Sequence, residues 1–100
     1  MNRTVLAQII WIPEEQGGRK EPPQGSIYYA LARFDDIKDQ WPLVAWTLVV
    51  KSPIPPTKSL SVVTEVGLLM PNAPAELLRP GSSFELFEGN KLVATGEVLP

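Results

Sequence analysis

The sequence predicts an all-β domain of six antiparallel strands, and three observations carry that expectation. Apolar residues recur at period two in short segments bounded by glycine and proline. Eleven prolines and seven glycines in a chain that is otherwise 44% hydrophobic fit short strands punctuated by loops, because disorder would need lower hydrophobicity and higher charge. Several segments are apolar on both faces. Six strands at this spacing suit a sandwich or a barrel, and a closed barrel removes the exposed edges that such strands cannot tolerate.

The first strand is expected over residues 4–12, with Val5, Ala7, Ile9 and Trp11 on one face and Pro13 ending it. The loop that follows, residues 14–26, is long for a hairpin connection, and loops of that length in small domains are functional or mobile. A second strand over 27–34 alternates Tyr28, Ala30, Ala32 and Phe34 against Ile27, Tyr29, Leu31 and Arg33. Residues 35–42 read as a break holding one helical turn. Residues 43–50, LVAWTLVV, are almost wholly β-branched, aromatic or leucine and predict a central strand with Trp46 and Leu48 buried. Residues 52–59, with Pro53, Pro55 and Pro56, cannot continue a ladder and must cross the surface or one end of the barrel. A fourth strand over 59–67 places Leu60, Val62, Thr64 and Val66 on one side, and Gly67 ends or bulges it. Between Asn72 and Gly81, Pro74 followed by AELL fits one short helical turn or an irregular loop.

The last two strands, over 83–88 and 91–99, form the best-specified hairpin. With Gly89 and Asn90 as the loop, the glycine supplies the positive φ that a type II′ turn needs at its first central position. Counting back from the turn places Glu88 opposite Lys91, Phe87 opposite Leu92, Leu86 opposite Val93, Glu85 opposite Ala94 and Phe84 opposite Thr95. Gly96 then interrupts the returning strand as a bulge, a bend or a close approach of another backbone.

Composition limits the chemistry. One hundred residues make a single domain over 1–100. Without cysteine, disulfides, thiolate metal sites and cysteine nucleophiles are excluded, and without histidine the usual neutral-pH base and the commonest metal ligand are gone. Ser82 and Ser83 have no histidine to activate them. Asp35, Asp36 and Asp39 lack the alternation and glycine of a calcium loop, and the glycines lack the spacing of a phosphate loop. A non-enzymatic protein without metal, cofactor or nucleotide is expected. The net charge of −2 gives no bulk attraction to nucleic acid, though a local basic patch is compatible with it. No stretch is long enough to span a membrane, and the apolar run at 9–12 is too short for a secretory signal, so a cytoplasmic protein is expected.

Two groups of residues stand out as contact candidates. Gly17, Gly18, Arg19 and Lys20 form either a loop that approaches a phosphate or carboxylate closely, or a solvated turn. Most aromatics interleave with aliphatics as core residues do, but Tyr29 shares a face with Arg33, and Trp41 sits in a charged loop before a proline; both are candidate exposed contacts.

The stretch SFELFEGNKLVATGEV, preceded by Pro80 and Gly81, resembles the closing strands of the third domain of elongation factor Tu. VLAQIIWIPEEQGGRKEPPQGSIYYALARF resembles the first two strands of that domain, including the Glu-x-Gly-Gly-Arg loop. The likeness covers the first third and the last quarter of the chain. It implies a six-stranded antiparallel Greek-key barrel, and a contact with tRNA or another structured RNA through Arg19, Lys20, Glu88 and Gly89. Lys20 stands where a histidine is common, Asn90 replaces a second glycine, and the segments 53–56 and 72–80 have no clear counterpart. A GTPase domain is not present in these residues, so the resemblance does not extend to translation-factor activity. Two classes of function follow: an RNA-binding module built on those four residues, or a protein-docking or regulatory module contacting its partner through Tyr29 and Trp41.

Overall fold

The computed structural model describes residues 3–56 and 59–100. Six strands, β1 (Val5–Trp11), β2 (Ile27–Phe34), β3 (Trp46–Lys51), β4 (Ser61–Leu68), β5 (Ser83–Glu88) and β6 (Lys91–Val98), close into a barrel in the order β1-β4-β3-β2-β5-β6. Every pairing is antiparallel. β2, β3 and β4 are successive neighbours and β1 returns beside β4, which is a Greek key; the β5–β6 hairpin fills the gap between β2 and β1. The loop after β1 is long because β1 and β2 are not neighbours, so the chain must cross the barrel between them.

Alternation decides which side chains meet inside. Ala7, Ile9 and Trp11 from β1, Leu48 and Val50 from β3, and Leu86, Val93 and Ala94 from the hairpin are all buried in one core. A 3-10 helix over Ala75–Leu78 closes one mouth by burying Leu77 and Leu78, on the short helical turn expected there. Another 3-10 helix, Asp35–Gln40, follows β2. At the other mouth Ser52 adopts a left-handed φ of 50°, Pro53 and Pro55 are buried, and the Pro53 carbonyl accepts a hydrogen bond from Trp11 Nε1 at 3.0 Å. Of the predicted crossing segment 52–59, Thr57 and Lys58 lie outside the described residues.

Four expectations are corrected. β3 begins at Trp46, because Val44 N–H bonds to the Gln40 carbonyl and holds the preceding residues in a turn; Leu43 is 95% exposed. Trp46, first in its strand and at the mouth, is therefore half-buried beside the core, whereas Leu48 is buried as expected. Gly67 neither ends nor bulges β4 but continues its ladder opposite Val49.

The fourth correction concerns the β5–β6 register. Glu88↔Lys91 and Phe87↔Leu92 pair as counted from the turn, and then the register shifts, so that Leu86 meets Ala94, Glu85 meets Thr95 and Phe84 meets Gly96. The extra residue is Val93, and consecutive Val93 and Ala94 both face the core, as a bulge permits. The slip brings Gly96 under the Phe84 ring. A Cβ there would lie 2.4 Å from Phe84 Cε1 and Cζ, so the glycine provides the space that the ring occupies. The close approach at Gly96 comes from an aromatic side chain instead of another backbone.

Candidate functional site

The loop after β1 is built to aim one side chain. A 3-10 turn, Glu14–Gln16, ends on Gly17, whose φ of 90° is left-handed and natural for glycine. Gly18 is buried against the chain it has just left: an added Cβ would lie 1.8 Å from the Ile12 carbonyl oxygen. Arg19 N–H then bonds to that same oxygen at 3.0 Å. The paired glycines thus allow the chain to pack on itself and deliver Arg19 to the barrel mouth.

There Arg19 meets Glu88, the last residue of β5. The guanidinium Nη1 pairs with Glu88 Oε2, and the same carboxylate oxygen accepts a hydrogen bond from the Tyr28 hydroxyl. Arg19 also lies over the Tyr28 ring, 5.7 Å from its centroid, and its Nε donates to the Glu21 carbonyl at 3.1 Å. Tyr28 in turn meets Trp11 edge-on at 5.4 Å. Burial alone would push the Glu88 carboxyl up, but the hydrogen bonds from Tyr28 and Arg19 and the positive charges of Arg19 and Lys91 outweigh it and hold it below its ordinary value. Burial, and then the bond to the anionic Glu88, push the Tyr28 hydroxyl up.

Arg19 and Glu88, 69 residues apart in the chain, are therefore brought together, with Gly89 beside them at the hairpin turn. Gly89 has a φ of 62° and Asn90 is not left-handed, which is the type II′ pattern. Lys20 is exposed next to this network. The arrangement places a neutralised ion pair at the mouth. The carboxylates Glu14, Glu15 and Glu21 lie on the same loop as Arg19 and Lys20, so no positive field accumulates there.

Tyr29 and Trp41 occupy a different place. Tyr29 points outward from β2 and is 55% exposed. Two residues on, Leu31 is 38% exposed and stands opposite Phe87 of β5. Trp41, in the turn after the second 3-10 helix, packs on the Phe87 ring with centroids 5.0 Å apart. Arg33 lies over the other partner of that stack, 5.1 Å from the Phe87 centroid, while its Nε donates to Glu85 at 2.8 Å. Tyr29, Leu31, Phe87 and Trp41 thus form one apolar strip across the outside of β2 and β5, with the Arg33–Glu85 pair at its margin. Sequence reasoning places Arg33 on the face of Tyr29 but does not single out Leu31, Phe87 or Glu85. The signal that joins them is the β2–β5 pairing, which links strands not consecutive in the chain.

Two of the three aspartates of the second 3-10 helix are engaged with cations: Asp36 with Arg79 at 3.0 Å and Asp35 with Lys38 at 3.4 Å. Among the described residues no three carboxylates gather as a metal site would require, and no described helix is long and apolar enough to cross a membrane. Comparison with models of known protein families and with curated proteins finds no match.

Proposed function

We propose that the domain is a non-enzymatic protein-docking module whose contact surface is the outer strip of β2 and β5. The observation that carries this reading is the continuity of Tyr29, Leu31, Phe87 and Trp41, with half-buried aromatics already packed and oriented before any partner arrives. A pre-packed tryptophan and an exposed tyrosine, with an arginine at the margin, are the residue types that anchor protein interfaces, since aromatic rings offer large contact area at low ordering cost. The partner is a polypeptide presenting a complementary apolar surface.

The resemblance to the elongation factor Tu domain favours a second reading, contact with tRNA or another structured RNA through Arg19, Lys20, Glu88 and Gly89. The mouth geometry weighs against it. Arg19 is already neutralised by Glu88, which leaves Lys20 as the loop's remaining cation, without a carboxylate partner among the described residues, and RNA affinity rests on cations free to displace counterions.

A photo-crosslinkable phenylalanine analogue placed at Tyr29, or at Asn90 beside the mouth, separates the two in the native cell. Protein docking predicts a nuclease-resistant, protease-sensitive adduct from position 29 and none from 90. The yield should fall about thirtyfold in Trp41→Ala, the loss of an anchor worth ~2 kcal/mol. A nuclease-sensitive adduct from position 90 that disappears in the Arg19→Ala, Lys20→Ala double variant would overturn the reading in favour of RNA.

A further inference from the structure

A second apolar surface lies on the opposite wall. In the order β1-β4-β3-β2-β5-β6, β1 is diametrically opposite β2 and β4 is opposite β5. Leu6 and Ile10 on the outside of β1 are 53% and 45% exposed, and Val63 on the outside of β4 is 55% exposed. The register sets Val63 directly opposite Gln8, between Leu6 and Ile10, so the three aliphatic side chains are diagonal neighbours on one face. Glu65 stands opposite Leu6, and Glu97 of β6 stands opposite Gln8. Glu65 accepts a hydrogen bond from Thr4 at 2.6 Å, and neither carboxylate forms an ion pair among the described residues. The strand residues that share this face with Leu6, Ile10 and Val63 are Gln8, Ser61, Glu65, Thr95 and Glu97, with no lysine or arginine among them; Lys91, the exposed first residue of β6, lies at the mouth opposite Glu88.

We infer that this face docks a second polypeptide, one that presents aliphatic side chains flanked by lysine or arginine, and that the barrel therefore bridges two partners held on opposite walls. The charge pattern selects that occupant. A second copy of the chain packed on the face about a two-fold axis would bring Glu65 and Glu97 against the same carboxylates. Anionic lipid and nucleic acid meet the same repulsion, whereas a basic segment supplies the missing counter-charges while covering Leu6, Ile10 and Val63. Docking at this face stands independently of the β2–β5 strip, because no residue is shared between the two faces and occupation of one leaves the other open; only the bridging rests on the β2–β5 reading.

The test uses the folded 100-residue chain, isotopically labelled, and two synthetic peptides: one alternating leucine with lysine, the other with glutamate in place of lysine. The lysine peptide should shift amides of β1, β4 and β6 around Gln8 and Val63, and bind more weakly as salt rises; the glutamate peptide should not bind. Glu65→Lys with Glu97→Lys should weaken the lysine peptide by at least about tenfold with the amide spectrum otherwise intact, while Tyr29→Ala leaves it unchanged. Failure of the β2–β5 reading thus does not move this result. Shifts centred on Asp35–Asp39, equal binding of both peptides, or indifference to the charge reversals would overturn the inference. So would broadening of the same amides by protein concentration alone, which identifies a second copy, or by phosphatidylglycerol vesicles, which identifies a lipid surface.

Discussion

Gly96 and Gly18 show how single positions in this chain are chosen by what comes close to them. Both hold space for a neighbour, Phe84 in one case and the Ile12 carbonyl in the other. Gly96→Ala must displace a core ring and should destabilise the fold by about 1–3 kcal/mol. Denaturant unfolding checks this, and an unchanged midpoint would mean that Phe84 does not fill that space. Among the large core residues, Trp11→Ala removes a buried indole together with its bond to Pro53 and should cost about 3–5 kcal/mol. Trp46→Ala should cost clearly less, because Trp46 is only half-buried at its mouth. Equal losses in the two variants would contradict the placement of Trp46. Both tryptophans read alike in the sequence, and both stand at a strand end; what separates them is cover, since the buried Pro53 segment and Tyr28 close over Trp11 while Trp46 stays half-buried.

At the scale of elements, the loop of residues 12–26 is tied to β5 and β2 through Glu88. Its depressed carboxyl pKa fixes the sign of the pH dependence. The folded state holds the Glu88 proton less tightly than the unfolded chain, so the contribution is present above the ordinary value of 4.5 and is lost as pH falls through the depressed folded value. Glu88→Gln should flatten this part of the acid limb of stability against pH, and a limb identical to that of the parent would show that other carboxylates govern it. At the alkaline end Tyr28 acts in the opposite direction. Its raised pKa favours the folded state until pH rises above 10.0, where the unfolded chain begins to lose its tyrosine proton first; Tyr28→Phe should remove that loss between 10.0 and the raised value. Of this network, Arg19 and Glu88 are legible in the sequence as separate contact candidates, and the Glu88↔Lys91 pairing can be counted from the turn. That Arg19 answers Glu88 is not legible, because no local rule relates the loop after the first strand to the tip of the last hairpin.

The molecule as a whole has little free positive charge at the mouth and two apolar walls facing away from each other. Any affinity for folded tRNA should therefore respond weakly to the mouth residues. The Arg19→Ala, Lys20→Ala double variant should change the slope of log affinity against log salt by less than about 1, the worth of a single phosphate contact. A change near 2 would mean that Arg19 exchanges Glu88 for a phosphate on binding.

Local rules suffice for much of this architecture. Period-two alternation, prolines that cannot continue a ladder and a glycine with positive φ at position 89 act over a few residues, so the six strands, the type II′ turn and the short helix at 75–78 are readable in the chain. Closure of the barrel is also foreshadowed, since strands apolar on both faces cannot remain at an edge. Features that depend on pairing between distant strands are settled by packing in three dimensions. The Val93 bulge exists because Phe84 needs Gly96 beneath it, the apolar strip exists because β2 lies beside β5, and Arg19 is neutralised because closing the barrel brings Glu88 within reach. Each is a contact between side chains far apart along the chain, where steric fit and charge compensation depend on the folded neighbourhood and leave no periodic trace in the order of residues.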